Sequence, residues 1–266
     1  MSTAAAVTAN ALHDAAFGAD PGAWPLPPAT EPRQWWLRAV AAGGQGRYAS
    51  AVADLDRLRR ISITDDLASL ALSTRASFLR QLGWHDRARA WDGRAAALAA
   101  TGEAGADAFI GLAADALGVG RFAASARALE RATDALVETD CPRLPVRFAW
   151  VSAELSMFRG EGGQAVGHAE RGVHLAEGVG SARHTVKSQV VLAAALCSRG
   201  DLDASRRVAV NALDAAQGLG LVPLQWAVAS LLADIGADDR SPAQIRGVRD
   251  AAAEAVIRWG GVWRRR

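Results

Sequence analysis

Three stretches of the chain carry the spacing Gly-x-Gly-x-x-Ala, at residues 44–49, 118–123 and 160–165. In a dinucleotide-binding loop such glycines bring the backbone close to a pyrophosphate, and the loop must follow a strand. Each instance here follows a stretch that reads as helix, and all three fall at one phase of a repeating pattern. They therefore read as helix-to-helix turns. Five histidines are present, His13, His85, His168, His174 and His184. His168 and His174 are six apart, off a common helix face, and no companion ligands accompany them, so no metal is expected. Neither a GxxxxGK[ST] loop, an HExxH helix nor a Gly-x-Ser-x-Gly elbow occurs. A catalytic set assembled from distant positions has no signature that a sequence displays. The expectation is a protein without cofactor that is not an enzyme.

Nine tryptophans are the stronger chemical signal: Trp24, Trp35, Trp36, Trp84, Trp91, Trp150, Trp226, Trp259 and Trp263. They exceed what an Ala-rich core needs, and Trp is enriched where proteins bind. The competing reading is that large rings fill gaps beside alanines.

The elements that must position these residues are helical. Half of the 266 residues are hydrophobic, much of that is Ala, aromatics are 6%, and β-branched runs are scarce. A net charge of +2, from 30 basic and 28 acidic residues, gives no general attraction to nucleic acid or membranes. Nucleic acid is not expected as a partner, and no membrane span is expected. Two isolated cysteines, Cys141 and Cys197, suit a reducing compartment, and the N-terminus lacks a signal-peptide pattern, so a cytoplasmic location is expected.

One pattern recurs six times: a small residue, a Gly seven positions on, and a second small residue five further. It reads Ala39-Gly46-Ala51, Ala76-Gly83-Ala88, Ala113-Gly120-Ser125, Ala153-Gly160-Ala165, Ala193-Gly200-Ser205 and Ala229-Gly236-Ser241. Each unit is read as helix, tight turn, helix. The Gly takes the left-handed conformation that ends the first helix, and the small residues let the two helices approach closely. Neither helix can bury its stripe alone, so neighbouring pairs must stack. Segments 66–82, 107–117 and 224–235 read as first helices. Ser241, Pro242 and Gln244 form a helix-start signal with a capping box. Residues 1–31 lie outside the pattern. Their prolines mark an extended linker over 20–32, preceded at 10–17 by either a docking helix or a loose tail.

The segments Gln45-Gly46-Arg47-Tyr48-Ala49-Ser50-Ala51, Gly120-Arg121-Phe122 and Gly200-Asp201-Leu202-Asp203-Ala204-Ser205 resemble the turn of the tetratricopeptide repeat. Trp35, Tyr48 and Phe122 stand where that family favours aromatics. The longer later units are similar to the variant repeats of bacterial regulators of the MalT type. Arg38, Arg75 and Ser152 depart from the family, which favours Leu there, and the unit-ending proline is mostly missing. The resemblance implies an all-α, right-handed superhelical solenoid of about six helix-turn-helix repeats over residues 32–258. An N-terminal tail and Pro-rich linker (1–31) precede it, and a solubilising Arg/Trp tail (259–266) follows.

The same resemblance implies that the inner face, made by the first helices, binds a peptide or partner segment. It places Trp36, Trp150 and Trp226 toward that groove as apolar anchors. Polar residues expected on the same face include Arg80, Arg147, Glu154 and Lys187, the cations favouring an acidic partner. Two functions follow: a non-catalytic protein–protein interaction scaffold, and alternatively a regulatory sensor module that binds a small effector. Dimerisation through the first or last hairpin is open to such a solenoid.

Overall fold

A helix that buries one stripe needs a partner, and here a repeated hinge selects it. The computed structural model describes residues 3–264, which form thirteen helices and no strand. They are α1 (Thr3–Phe17), α2 (Pro32–Gly44), α3 (Tyr48–Leu58), α4 (Asp65–Gln81), α5 (His85–Leu98), α6 (Gly102–Gly118) and α7 (Phe122–Leu136). After these come α8 (Arg143–Phe158), α9 (Gly162–Val179), α10 (Ala182–Arg199), α11 (Leu202–Gly218), α12 (Val222–Ile235) and α13 (Pro242–Arg258). From α2 onward, each even-numbered helix packs on the helix that follows it and on the next even-numbered one. The result is a ladder of stacked helix pairs, a helical-repeat architecture.

The hinge is the same five times. Gly46, Gly83, Gly120, Gly160 and Gly200 all have positive φ, between 74° and 96°. The residue after each donates its N–H to a carbonyl five residues back: Arg47 to Ala42, Trp84 to Leu79, Arg121 to Ala116, Glu161 to Ser156, Asp201 to Leu196. This is the Schellman closure of a helix end. That same residue is the N-cap of the next helix, so no slack separates the two helices. Ala39, Ala51, Ala76, Ala88, Ala113, Ala153, Ala165, Ala193 and Ala229 are fully buried, as are Ser125 and Ser205. Ser205 satisfies its hydroxyl on the Ala193 carbonyl at 2.7 Å, across the hairpin.

The sixth unit differs. Gly236 has φ 82° but ψ 174°, and α13 starts only at Pro242. Ser241 is exposed and does not serve as a close-packing residue there. Its hydroxyl accepts from the Gln244 N–H, and the Gln244 side chain accepts from the Ser241 N–H at 2.8 Å, a complete capping box. The departures Arg38 and Arg75 have partners that a Leu would lack. Arg38 pairs with Asp54 at 3.1 Å and Arg75 with Asp56 at 2.8 Å, and their guanidinium groups lie over Trp35 and Trp91.

At the N-terminus the docking-helix alternative is the one present, longer than expected, and the C-terminal segment departs from the expected tail. Helix α1 docks through Leu12, Ala15 and Ala16, all buried, and joins α2 to α10. The following segment is pinned by Gln45, whose Nε2 donates to the carbonyls of Pro21 and Ala23, both at 2.9 Å. Residues 259–264 do not trail into solvent. The Ala49 N–H donates to Trp259 O, the Arg264 N–H to Leu82 O, and Trp84 Nε1 to Val262 O at 2.7 Å. Val256 and Ala252 of α13 share one core with Trp36 and Tyr48 of the first pair. Trp263 packs on Trp226 with ring centroids 4.4 Å apart. The last pair thus meets the first, and the ladder closes into a ring. Met1, Ser2 and the last two arginines of the expected C-terminal tail, Arg265 and Arg266, lie outside the described residues.

Because the hairpin contacts leave no space, Ala113→Leu should overpack the α6–α7 pair and lower unfolding stability by about 1–3 kcal/mol. Urea unfolding followed by circular dichroism measures this. The same change at the exposed Ala251 should leave the midpoint within experimental error.

Candidate ligand chamber

Ring closure turns the inner face into a chamber of about 460 Å³, within the range of small-molecule sites. Every even-numbered helix from α2 to α12 lines it, with Phe17 of α1 and His85 at the start of α5. All seven residues singled out from sequence meet there: Trp36, Arg80, Arg147, Trp150, Glu154, Lys187 and Trp226. Lining residues at the C-terminal ends of α4, α6 and α8 (Gln81, Gly118 and Phe158) are exposed and form the mouth. Arg143, His184 and Trp36 are buried and form the floor, which Phe17 seals. The Phe17 ring packs on Trp36 at 5.5 Å and on His184 at 6.3 Å.

Two tryptophans are held by one device. Trp36 Nε1 donates to Thr74 Oγ1 at 2.9 Å, and Trp150 Nε1 to Ser188 Oγ at 2.8 Å. In each case the acceptor stands 38 residues on, at the matching place of the next first helix. The indole N–H is satisfied and the ring cannot rotate away from the chamber. Trp150 also stacks on His184 with centroids 5.4 Å apart and planes at 25°. These rings therefore fill space between helices and face the chamber at once.

The charged lining follows the repeat as well. Glu103, Arg143 and Arg183 are 40 apart in succession, as are Asp107, Arg147 and Lys187. Each step places the members on adjacent first helices, so they meet across the stack. Arg143 pairs with Glu103 at 2.9 Å and Asp107 at 3.4 Å, Arg147 contacts Asp107, and Lys187 lies 3.6 Å from Glu154. Arg183 makes no ion pair among the described residues. It donates to the carbonyls of Ala16 at 2.9 Å and Val40 at 3.1 Å, and burial together with nearby Arg143 holds its pKa down to about 10. Burial also lowers Arg147 to about 10, with Arg80 and Arg183 pushing the same way. Three guanidinium groups thus face two carboxylates, Glu103 and Asp107, at the floor. The surplus positive field shows at His184. Burial first, then Arg183, Arg143 and Arg147, depress its pKa well below the ordinary value, so it is neutral.

Arg80 stands on the wall but its charge is engaged from behind. It contacts Asp92 and bonds Asp115 at 3.0 Å, and both carboxylates are fully buried outside the chamber lining. Burial pushes Asp92 up to about 7 against the pull of Arg80. A side chain at Gly111 would run into the Asp92 carboxylate, so the pocket for this triad is cut by a glycine. Among the described residues no group of three or more His, Cys, Asp or Glu could hold a metal, and no helix is long and apolar enough to cross a membrane. The sequence reading passed over Arg143, Arg183 and His184. The 40-residue step from Glu103 and Asp107 was the signal that would have found the two arginines.

His184 gives a pH test. Its folded pKa lies below the unfolded value near 6.5, so the unfolded chain takes up the proton first as the pH falls. Stability from this group is complete above about pH 7 and lost progressively below it, by up to about 1.4 kcal/mol per pH unit. Urea unfolding at pH 7.5 and 5.5 should therefore show a larger acid loss for the wild type than for His184→Asn. Comparison with protein-family models and with curated proteins finds no match for this chain.

Proposed function

We infer that the chain is a non-catalytic, tetratricopeptide-type binding module whose closed ring takes a small molecule into its chamber. The observation that carries this is the seam between residues 259–264 and the first two helix pairs. A peptide lying along the inner face would need an open groove, and the seam, the shared core of α2 and α13, and the Phe17 floor all stand in its way. Size, aromatic walls and a few convergent polar groups match a small-ligand site. The reading as a sensor of a small effector is thus favoured over the protein-groove scaffold.

A non-catalytic role is supported by where the proton-holding groups sit. Asp92 is outside the chamber, His184 is neutral and bonded through Nδ1 to Ser181 at 2.9 Å, and Glu154 faces Lys187. The one hydroxyl among these contacts, Ser181, is buried and lies outside the chamber lining.

A thermal-shift screen of the full chain against a broad panel of small metabolites tests the reading. A ligand at a hundredfold excess over its Kd should add about 2.7 kcal/mol, a rise in Tm of roughly 5–10 °C for a chain of this size. Trp150→Ala should remove that rise. No response across the panel, with a stoichiometric protein partner that is lost in a Trp150→Ala, Trp226→Ala double variant, would restore the protein-groove reading.

A further inference from the structure

Resting on the small-molecule reading, we propose that the chamber's ligand is an organic monoanion, a carboxylate carried on a flat aromatic body. Its acidic group is received at the floor by Arg183 and Arg147, and its body lies between Trp150 and Trp226, above Trp36.

The charge count sets the sign. At the floor, Arg143, Arg147 and Arg183 meet only Glu103 and Asp107, and Arg183 has nothing but the partial charges of two backbone carbonyls. One positive charge therefore remains locally at the floor, the most enclosed part of the chamber, where a field is focused. A single carboxylate neutralises it. A dianion overshoots, and a cation would be repelled. Guanidinium groups also match a carboxylate in shape, through two parallel N–H donors.

The position of the arginines points the same way. Arg143 is the first residue of α8 and Arg183 the second of α10. Cations in the first turn oppose the helix dipole, whose positive end lies there. Both arginines and both helix starts thus converge on one floor with the same sign. An anion placed there has the sign that both the side chains and the helix dipoles favour.

The walls set the body. Trp36 and Trp150 are locked by Thr74 and Ser188, and Trp226 is braced by Trp263, so the rings are preorganised rather than mobile. The mouth lies at the far end, by Phe158 and Gln81. A ligand therefore enters acid first and leaves its flat body between the indoles.

Isothermal titration of the full chain with naphthylacetate, naphthylacetamide and naphthylethylamine separates head charge from body. The acid is expected to bind at least about tenfold tighter than the amide, and the amine not to bind. Because enclosed charges are screened much less than exposed ones, that ratio should persist between 50 and 500 mM salt. Arg147→Gln should bring acid and amide to within about twofold, chiefly by weakening the acid. If that variant fails to fold, the wild-type ratio and its persistence in salt decide alone. Equal binding of acid and amide, or preference for the amine, overturns the proposal and leaves the chamber reading standing. So does a metabolite-panel hit that is neutral or cationic when none of the three probes binds. Silence from both probes and panel removes the chamber reading, and this proposal with it.

Discussion

The structure depends on a hinge without slack. In the turn inside each of five helix pairs, and again at Gly180 and Gly220 between pairs, a glycine with positive φ closes one helix while the next residue already caps the following one. The same closure is therefore used from pair to pair. Equal hinges hold every first helix on the inside, and alanines with no exposed surface hold the pairs at backbone distance. A bulkier contact at one hinge would change the spacing of that pair, and the error would carry to the seam where the last pair meets the first.

Closure changes the physics of the inner face. On an open solenoid, charged groups on the concave side are solvated and a surface ion pair contributes little. In the ring they are enclosed with tryptophans, and burial moves their proton affinities. Arg147 and Arg183 are held near 10, and His184 is neutral. Around Arg80 the imbalance runs the other way, with Asp92 and Asp115 both on one guanidinium, and burial raises the proton affinity of both carboxyls. At the floor the cations are in excess. The mismatch is local, and it sits where the chamber is most enclosed.

The hairpins were legible because each hinge needs glycine and each close contact needs a small side chain, and both requirements repeat at a near-constant spacing. The inward tryptophans were legible for the same reason, since Trp36, Trp150 and Trp226 occupy related places on first helices. Ring closure was not legible. It rests on main-chain bonds from Ala49 and Arg264, and on Gly260 and Gly261 passing close to Ala49 and Tyr48, and backbone pairing leaves no side-chain pattern. The Arg and Trp residues of that segment suggest a free basic tail when read by composition. Helix α1 was legible only as one of two alternatives for residues 10–17. Its Ala-rich sequence has a weak amphipathic pattern, and its docking is decided by Phe17 and by the Ala16 carbonyl, which accepts from Arg183.

The charge ladder explains why the floor is where it is. Along the repeat, Glu103 precedes Arg143, which precedes Arg183, and Asp107 precedes Arg147, which precedes Lys187. An acidic rung neutralises the basic rung after it, and the second basic rung must look further on. For Lys187 the answer is Glu154, one helix back. For Arg183 the next rung, 40 residues on, is Pro223, which has nothing to offer a cation. The guanidinium turns instead to the last turn of α1, where unsatisfied carbonyls carry the negative end of a helix dipole. Docking of α1 and the unpaired charge are thus one arrangement. The helix that seals the floor is held by the cation that the ladder leaves over, and its partial charges compensate that cation only in part.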